Sequence, residues 1–395
     1  MSIPPAKTRV AILSPSLAPY YVPVFNRLHE IPRVDLHLVF GDGHEPAWQW
    51  DLSLGEIKFN YTRLPSIRFP FRNARGDRTS FCWSPRLFPF LRRQKFDLVV
   101  ALGWTMPNTF AGWLYSKLSA SAAVIWDDSI PHPPTRLKRF FLPLLTRYVG
   151  SFDGYLAGSH ASMEYFDQLG APRERVTLFP QVTDNDFFAR RAAELRPQRE
   201  ELKRALSIHT RQVIMFVGQF IVRKGLCSLL DAFERVAAEN DGVGLLFVGQ
   251  GPLEEEMRAR CRASAAGKRI FIHPFVPQKI LPKFYSIADL FVLPSLYDTF
   301  GVVVDEAMAS GLPIVTTTGV GAAADLVRDG VNGRVVAPGD SAVLAQALAQ
   351  LLNDDVLLQE MSTQSSQRIS TWNVDLAAEG LIRCLEICRA RPVAS

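Results

Sequence analysis

The 395-residue chain has only five cysteines, Cys82, Cys227, Cys261, Cys384 and Cys388, an odd number with no paired ligand spacing. That argues against a disulfide framework or a cysteine zinc site and fits free thiols in a reducing compartment. The seven histidines are scattered, so no metal cluster is visible. Net charge is low for the length: +5 permits anionic ligands without requiring nucleic acid, and no nucleic-acid partner is expected. Long apolar runs are missing too. Val10 to Leu13 is too short for the apolar region of a leader, and no small-residue cleavage site follows. The uncharged run 98–115 is broken by Gly103, Pro107, Asn108 and Gly112 into strand, loop and helix start. A cytoplasmic protein is therefore expected. There is no P-loop and no Gly-x-Ser-x-Gly elbow, and "GQGPLEE" at 249–255 lacks the third glycine of a dinucleotide fingerprint.

What is present is a long, evenly mixed chain. With 48% hydrophobic and 21% charged residues it is globular, and its length exceeds what one core usually organises, so two domains are expected. The first half strings together "RVAILSPS", "VDLHLVF", "FDLVVALG", "SAAVIWDD" and "FDGYLAGS", short apolar runs that stop at small or polar residues. From Gln212 the scheme repeats with "QVIMFVGQF", "VGLLFVGQG", "RIFIHPFV", "DLFVLPS", "LPIVTTTG" and "GRVVAPGD", alternating with helical patterns. Strands alternating with helices mean parallel sheets. The class is α/β, with two consecutive open α/β units. The charged stretch "ARRAAELRPQREELKRALSIHTR" reads as the linker, and helical patterning past Trp372 as a last helix able to return to the first domain. The expected boundaries are 1–195, 205–371 and 372–395.

In open α/β sheets, ligands bind beyond the carboxyl ends of the strands. Two such loops stand out. In "SLYDTFGVVVDEAMASG", Asp298 and Glu306 bracket seven residues. Either Asp298 or Thr299 simply caps a helix starting near Thr299 or Gly301, or the amides of Phe300 and Gly301 form an anion site at that helix end. Glu306, inside an apolar segment, requires a partner such as a pair of ribose hydroxyls. In "VGQFIVRKG", a strand ends at Gly218 and Arg223 and Lys224 precede a helix, where cations oppose the macrodipole. A solvated basic turn is one reading; a diphosphate bound by Arg and Lys is the other.

Basic and aromatic residues are concentrated in "SIRFPFRNARGDRTSFCWSPRLFPFLRRQKF" and "PTRLKRFFLPLLTRYV". In the latter, Leu137, Phe140, Phe141, Leu144, Leu145 and Tyr148 follow helical period beside Arg136, Lys138, Arg139 and Arg147. A core-packed helix and a long loop are one account. A peripheral membrane contact on anionic lipid is the other.

Together these residues resemble the retaining glycosyltransferases of family four, nucleotide-sugar enzymes of GT-B fold. "DTFGVVVDE" followed by "AMASGLPIV" matches the acid, seven residues and Glu of the family signature. "VGQFIVRKG" matches its phosphate loop, "PFVPQKILPKFYSIADLFVLPS" its base pocket, and "DLVRDGVNGRVVAPGD" its later turn. "AGSHASMEYFDQLGAPRERV" and "FPQVTDNDFF" look like the region before the linker. The resemblance covers nearly the whole chain and is most specific from Val217 to Asp340. It implies two Rossmann-like domains facing across a cleft, with the C-terminal helix packed on the first. It also implies sugar transfer, with retained configuration, from a nucleotide-diphosphate sugar to a glycan, glycolipid or lipid-linked acceptor in polysaccharide or glycolipid synthesis.

By position, the resemblance gives Arg223 and Lys224 the donor diphosphate, Glu306 the ribose, and Asp298 the donor-sugar hydroxyls with help from Thr299, Phe300 and Gly301. Gly218 lies at the phosphate loop, and the backbone at Phe275 and Val276 meets the base. No bound cofactor or metal is implied, because those cations perform the electrostatic role. Ser16, Trp104, Asp127, Asp128 and His132 are the acceptor-side candidates. The chain departs from the family at Asp298, where Glu is usual. Asp127 and Asp128 stand where many members have His, Ala324-Asp325 replaces Pro-Glu, and "SPSLAPYY" lacks the usual glycines. A weakly active or non-catalytic partner in a glycan assembly complex is the alternative, and a nucleotide-sugar epimerase a more distant one.

Overall fold

A computed structural model describes residues 7–41, 56–72, 78–103, 106–131 and 136–390. The chain divides into two compact units, Met1–Gln181 with Val374–Ser395, and Val182–Asn373.

Unit 1 holds β1 (Thr8–Ser14), α1 (Val22–His29), β2 (Val34–Gly41), β3 (Asn60–Leu64), β4 (Ile67–Arg72), β5 (Arg78–Trp83), α2 (Leu87–Gln94), β6 (Leu98–Leu102), α3 (Pro107–Lys117), β7 (Ala122–Asp127), α4 (Arg136–Val149), β8 (Gly154–Ala157), α5 (His160–Gln168) and β9 (Val176–Leu178). Seven strands form one parallel sheet in the order β3-β2-β1-β6-β7-β8-β9. Its central strands are apolar throughout because helices cover both faces: Val10, Ala11, Ile12, Val99, Val100, Val124 and Ile125 are at most 1% exposed. The basic-aromatic stretch read as a long loop instead pairs β4 with β5 in an antiparallel ribbon, Ile67 opposite Trp83 and Phe69 opposite Phe81. Alternation places Ile67, Phe69, Phe71, Phe81 and Trp83 on one face of it.

Unit 2 holds α6 (Asn185–Leu195), α7 (Arg199–Ala205), β10 (Gln212–Val217), α8 (Leu226–Glu239), β11 (Val243–Val248), α9 (Glu254–Ala263), β12 (Ile270–His273), α10 (Leu281–Tyr285), β13 (Leu290–Leu293), α11 (Val303–Ala309), β14 (Ile314–Thr317), α12 (Gly321–Leu326), β15 (Gly333–Val336), α13 (Ser341–Leu352) and α14 (Asp355–Ile369). Its six strands are parallel in the order β12-β11-β10-β13-β14-β15. The order turns back at β10 between β11 and β13, and that switch point is where such sheets open a crevice.

The expected linker folds. It forms α6 and α7, and α6 belongs to unit 2, so unit 1 closes at Gln181 where the first domain was expected to run to 195. The reason lies in specific ties: Asn185 donates to the carbonyls of Ile369 (3.1 Å) and Trp372 (2.8 Å), and Phe188 meets Tyr285 edge-on. Arg199 pairs with Asp289 at 2.6 Å. After α14 the chain re-enters unit 1 as α15 (Val374–Arg389), which packs on α1, β8 and β9. Arg27 with Asp375 and Arg33 with Glu386 pin it from the α1 side.

Candidate active site

The phosphate-loop candidate follows β10. Its backbone turns through Val222–Lys224 into Gly225, at φ +71°. A side chain at Gly225 would put its Cβ 2.1 Å from the Pro294 carbonyl oxygen, so only glycine lets this loop press on the segment after β13. The contact is sealed by Leu296 donating its amide to the Arg223 carbonyl at 2.8 Å. Arg223 and Lys224 are thereby delivered to Asp298. Lys224 Nζ pairs with Asp298 Oδ2, and Arg223 Nη1 lies 3.6 Å from Oδ1 and donates to the Tyr297 carbonyl at 3.3 Å. The Lys224 and Asp298 side chains are 11% and 10% exposed, and Arg223 is 28% exposed.

These cations stand at the start of α8, which has no side-chain cap and no acid in its first turn. Asp298 partly offsets their conflict with the helix dipole, but one carboxylate between two cations leaves a positive excess in a poorly solvated place. An anion would complete the set.

Neither Asp298 nor Thr299 caps the following helix, contrary to the simpler expectation. α11 begins at Val303, behind Val302, with no side-chain cap. Asp298 is otherwise engaged: its side chain goes to the cations, its amide donates to the Gly319 carbonyl (2.8 Å), and its carbonyl accepts from Gly321 (3.1 Å). Gly301 then turns the chain at φ +95°, wedged where a Cβ would meet Leu293 Cδ2 at 2.9 Å. Phe300 is buried and stacks on Trp372, 6.1 Å between centroids and 9° between planes, so its ring is a packing group. The Phe300 and Gly301 amides have no acceptor among the described residues. Thr299 is half-buried beside them.

Glu306, on α11, is 4% exposed. Gln278 Nε2 donates to Oε1 at 2.7 Å and the Tyr285 hydroxyl to Oε2 at 2.9 Å. Burial pushes its carboxyl up to about 7, although both hydrogen bonds pull the other way. Phe275 and Val276 are half-buried in the loop that supplies Gln278. The structure thus joins Arg223, Lys224 and Asp298, and gives Glu306 a separate set of partners. Gln278 and Tyr285 escaped the sequence reading as site residues. The signal was there in "PFVPQK", a polar amide in an otherwise apolar turn. Asp305, next to Glu306, is fully buried with neither carboxyl oxygen partnered among the described residues, and burial holds its carboxyl well above the usual range.

In unit 1, Asp127 ends β7 and accepts the Ser129 amide at 2.7 Å, while Asp128 accepts from the Gln181 side chain. Tyr21 lies close enough for Asp128 to reinforce, after burial and Tyr20, the upward shift of its phenol. Ser16 is half-buried after β1, its carbonyl accepting from Ser14 Oγ at 2.6 Å. Trp104 and His132 lie outside the described residues.

This pair of parallel-sheet units is the GT-B architecture. The Anabaena protein HepE, crystallised with UDP, matches it with a TM-score of 0.74 over 96% of this chain and 99% of that one, at 19% identity. Residues 198–368 match the family model "Glycosyl transferases group 1" and residues 33–181 "Glycosyl transferase 4-like domain". The chain belongs to the family-four glycosyltransferases. Among curated relatives, the alpha-D-kanosaminyltransferase of Streptomyces kanamyceticus is 26% identical over 209 residues, 53% of each chain. The phosphatidyl-myo-inositol mannosyltransferase of Mycobacterium leprae is 32% identical over 177 residues, 44% of this chain and 46% of that one. These matches span about half the length of those relatives.

Proposed function

We propose that the chain is a retaining glycosyltransferase, moving a sugar from a nucleotide-diphosphate sugar to a hydroxyl of a glycan, glycolipid or lipid-linked acceptor. The observation that carries this is the Arg223–Lys224–Asp298 cluster, whose positive excess at the start of α8 suits a diphosphate. The UDP named with HepE and the lipid named for the mycobacterial relative support donor and acceptor class. Arg223 and Lys224 hold the diphosphate and stabilise the charge that grows on it as the sugar–phosphate bond breaks. The acceptor oxygen bonds to the anomeric carbon on the same face, and its proton passes to the leaving phosphate oxygen. Asp298, the Phe300 and Gly301 amides and Thr299 orient the sugar. Glu306 takes the ribose: each of its oxygens accepts one donor in the structure and has a second lone pair. Phe275 and Val276 flank the base, and Gly218 gives the phosphate loop room. On the acceptor side stand Ser16, Asp127 and Asp128, with Trp104 and His132 as further candidates. The enzyme works in the cytoplasm in polysaccharide or glycolipid synthesis, without a bound metal and with a peripheral membrane contact. No helix among the described residues is long and apolar enough to cross a membrane.

Calorimetric titration with UDP, GDP, ADP and dTDP sugars tests the reading. One of them is expected to bind, and Arg223→Ala to weaken it about tenfold to a hundredfold through loss of charge-assisted hydrogen bonds. If none of the four binds the wild type, the non-catalytic partner is the better description. Retention itself is read by NMR from the anomer first released on donor hydrolysis.

A further inference from the structure

Charge is distributed very unevenly along this chain. Residues 57–152 carry fifteen Lys and Arg against four Asp and no Glu, a balance of +11, while the remainder sums to −6. The modest total of +5 hides this. Within that segment lies α4, whose fourteen residues, "RLKRFFLPLLTRYV", include no acid.

The helix faces inward with its C-terminal end. Tyr148 meets Trp113 at 5.6 Å and Phe152 at 5.3 Å, and Val149 is fully buried. Phe140, Leu144 and Arg147 share one face at helical spacing, turned away from Val149. Phe140 is 78% exposed, Leu144 66% and Phe141 44%. Arg139 and Arg147 are exposed at either end of that apolar patch, and no carboxylate among the described residues pairs with either. The helix therefore packs by part of its circumference and leaves three large apolar side chains exposed, flanked by cations. The ribbon β4–β5, in the same acid-poor segment, adds Phe69 at 50% and Ile67 at 47% exposure.

A core-packed helix would turn Phe140 and Leu144 inward. A solubilised surface helix would carry Glu or Asp on that face. A nucleic acid would use the cations and leave the apolar groups wet. Phe and Leu at the centre with Arg at the margins is what an interfacial helix presents, apolar side chains among the acyl chains and cations at the headgroups. We propose that α4 lies in the plane of an anionic lipid bilayer and seats unit 1 on it, with Phe140 and Leu144 inserted and Arg139 and Arg147 against lipid phosphates. This deepens the membrane contact in the function given above and does not depend on the transfer chemistry.

The test is co-sedimentation of the full chain with vesicles of phosphatidylglycerol and phosphatidylcholine, and of phosphatidylcholine alone. Binding is expected to the anionic vesicles, falling with added salt. The double substitution Phe140→Ser, Leu144→Ser is expected to weaken it more than tenfold. Arg139→Gln with Arg147→Gln should cost about fivefold per cation removed, and only on anionic vesicles. Circular dichroism and nucleotide-sugar affinity should stay at wild-type values, because these side chains face solvent in the folded unit. Sedimentation of the Phe140, Leu144 variant equal to wild type overturns the proposal, as does failure of the wild type to bind anionic vesicles. Vesicle binding without any nucleotide-sugar binding would keep this proposal and remove the transferase reading; the reverse result would do the opposite.

Discussion

Asp298 and Glu306 are eight positions apart in sequence and sit in opposite environments. Asp298 is surrounded by two cations; Glu306 sees an amide and a phenol. The same chemical group is thus paired charge to charge at one position and stabilised only by dipoles at the other. Deprived of water and given no cation, Glu306 rises to about 7. What each carboxyl meets is set by the loop the fold brings to it, in one case the glycine-hinged turn after β10 and in the other the turn before α10. Under the proposed function the difference has a use. A diphosphate competes with Asp298 for Arg223 and Lys224, freeing that carboxylate to meet the sugar, whereas Glu306 keeps its partners while accepting ribose hydroxyls.

The most drastic way to break the contrast is Lys224→Met. It leaves Asp298, 10% exposed, with Arg223 alone at 3.6 Å. Removing one partner of a buried pair costs about 3–5 kcal/mol, and the remaining Arg223 places this case near the lower end. The urea midpoint should fall accordingly with an unchanged slope. Adding Asp298→Asn should recover most of the loss, since the stranded charge goes with it. A wild-type midpoint for Lys224→Met would mean the pair does not hold the loop.

How visible was this from the sequence? The alternating strands and the cationic turn were plain, because parallel strands buried on both faces read as unbroken apolar runs. The environment of Glu306 was not. Its partners Gln278 and Tyr285 come from 28 and 21 residues upstream, and only the fold brings them to it. Of the two readings open at Asp298, the cap is excluded for a related reason: Lys224, 74 residues away, claims its side chain. The ribbon β4–β5 was hidden by Pro70, which suggests a break but sits in a two-stranded ribbon where a lost donor is tolerated. That the expected linker folds as α6 and α7 is hard to read from the sequence, because charged residues dominate it and few apolar ones, Phe188 and Ala192 among them, bury.

Protonation sharpens the comparison further. A carboxyl raised in the folded state holds its proton more tightly folded than unfolded. Its contribution to stability is therefore complete below the unfolded value of 4.5 and is lost as pH rises through about 7. For Glu306 the loss amounts to about 3 kcal/mol at most. Glu306→Gln cannot titrate, so the wild type should lose more stability than the variant between pH 4.5 and 8, read by urea unfolding at several pH values. Parallel curves would show that Glu306 is already ionised at low pH in the fold.

Asp305 supplies the smallest effect, a buried carboxyl beside Glu306 with no cation and no side-chain donor among the described residues. Burial holds its carboxyl well above the usual range, and its oxygens remain without hydrogen-bond partners among the described residues. An unsatisfied buried polar group costs about 1–3 kcal/mol. Asp305→Ala removes that cost and improves helix propensity in α11, while the small cavity it leaves subtracts a few tenths of a kcal/mol. The net expectation is a gain of about 1 kcal/mol, seen as a raised urea midpoint. A lowered midpoint would show that the Asp305 carboxyl is bonded after all, and that α11 presents two supported acids where the contrast above requires one.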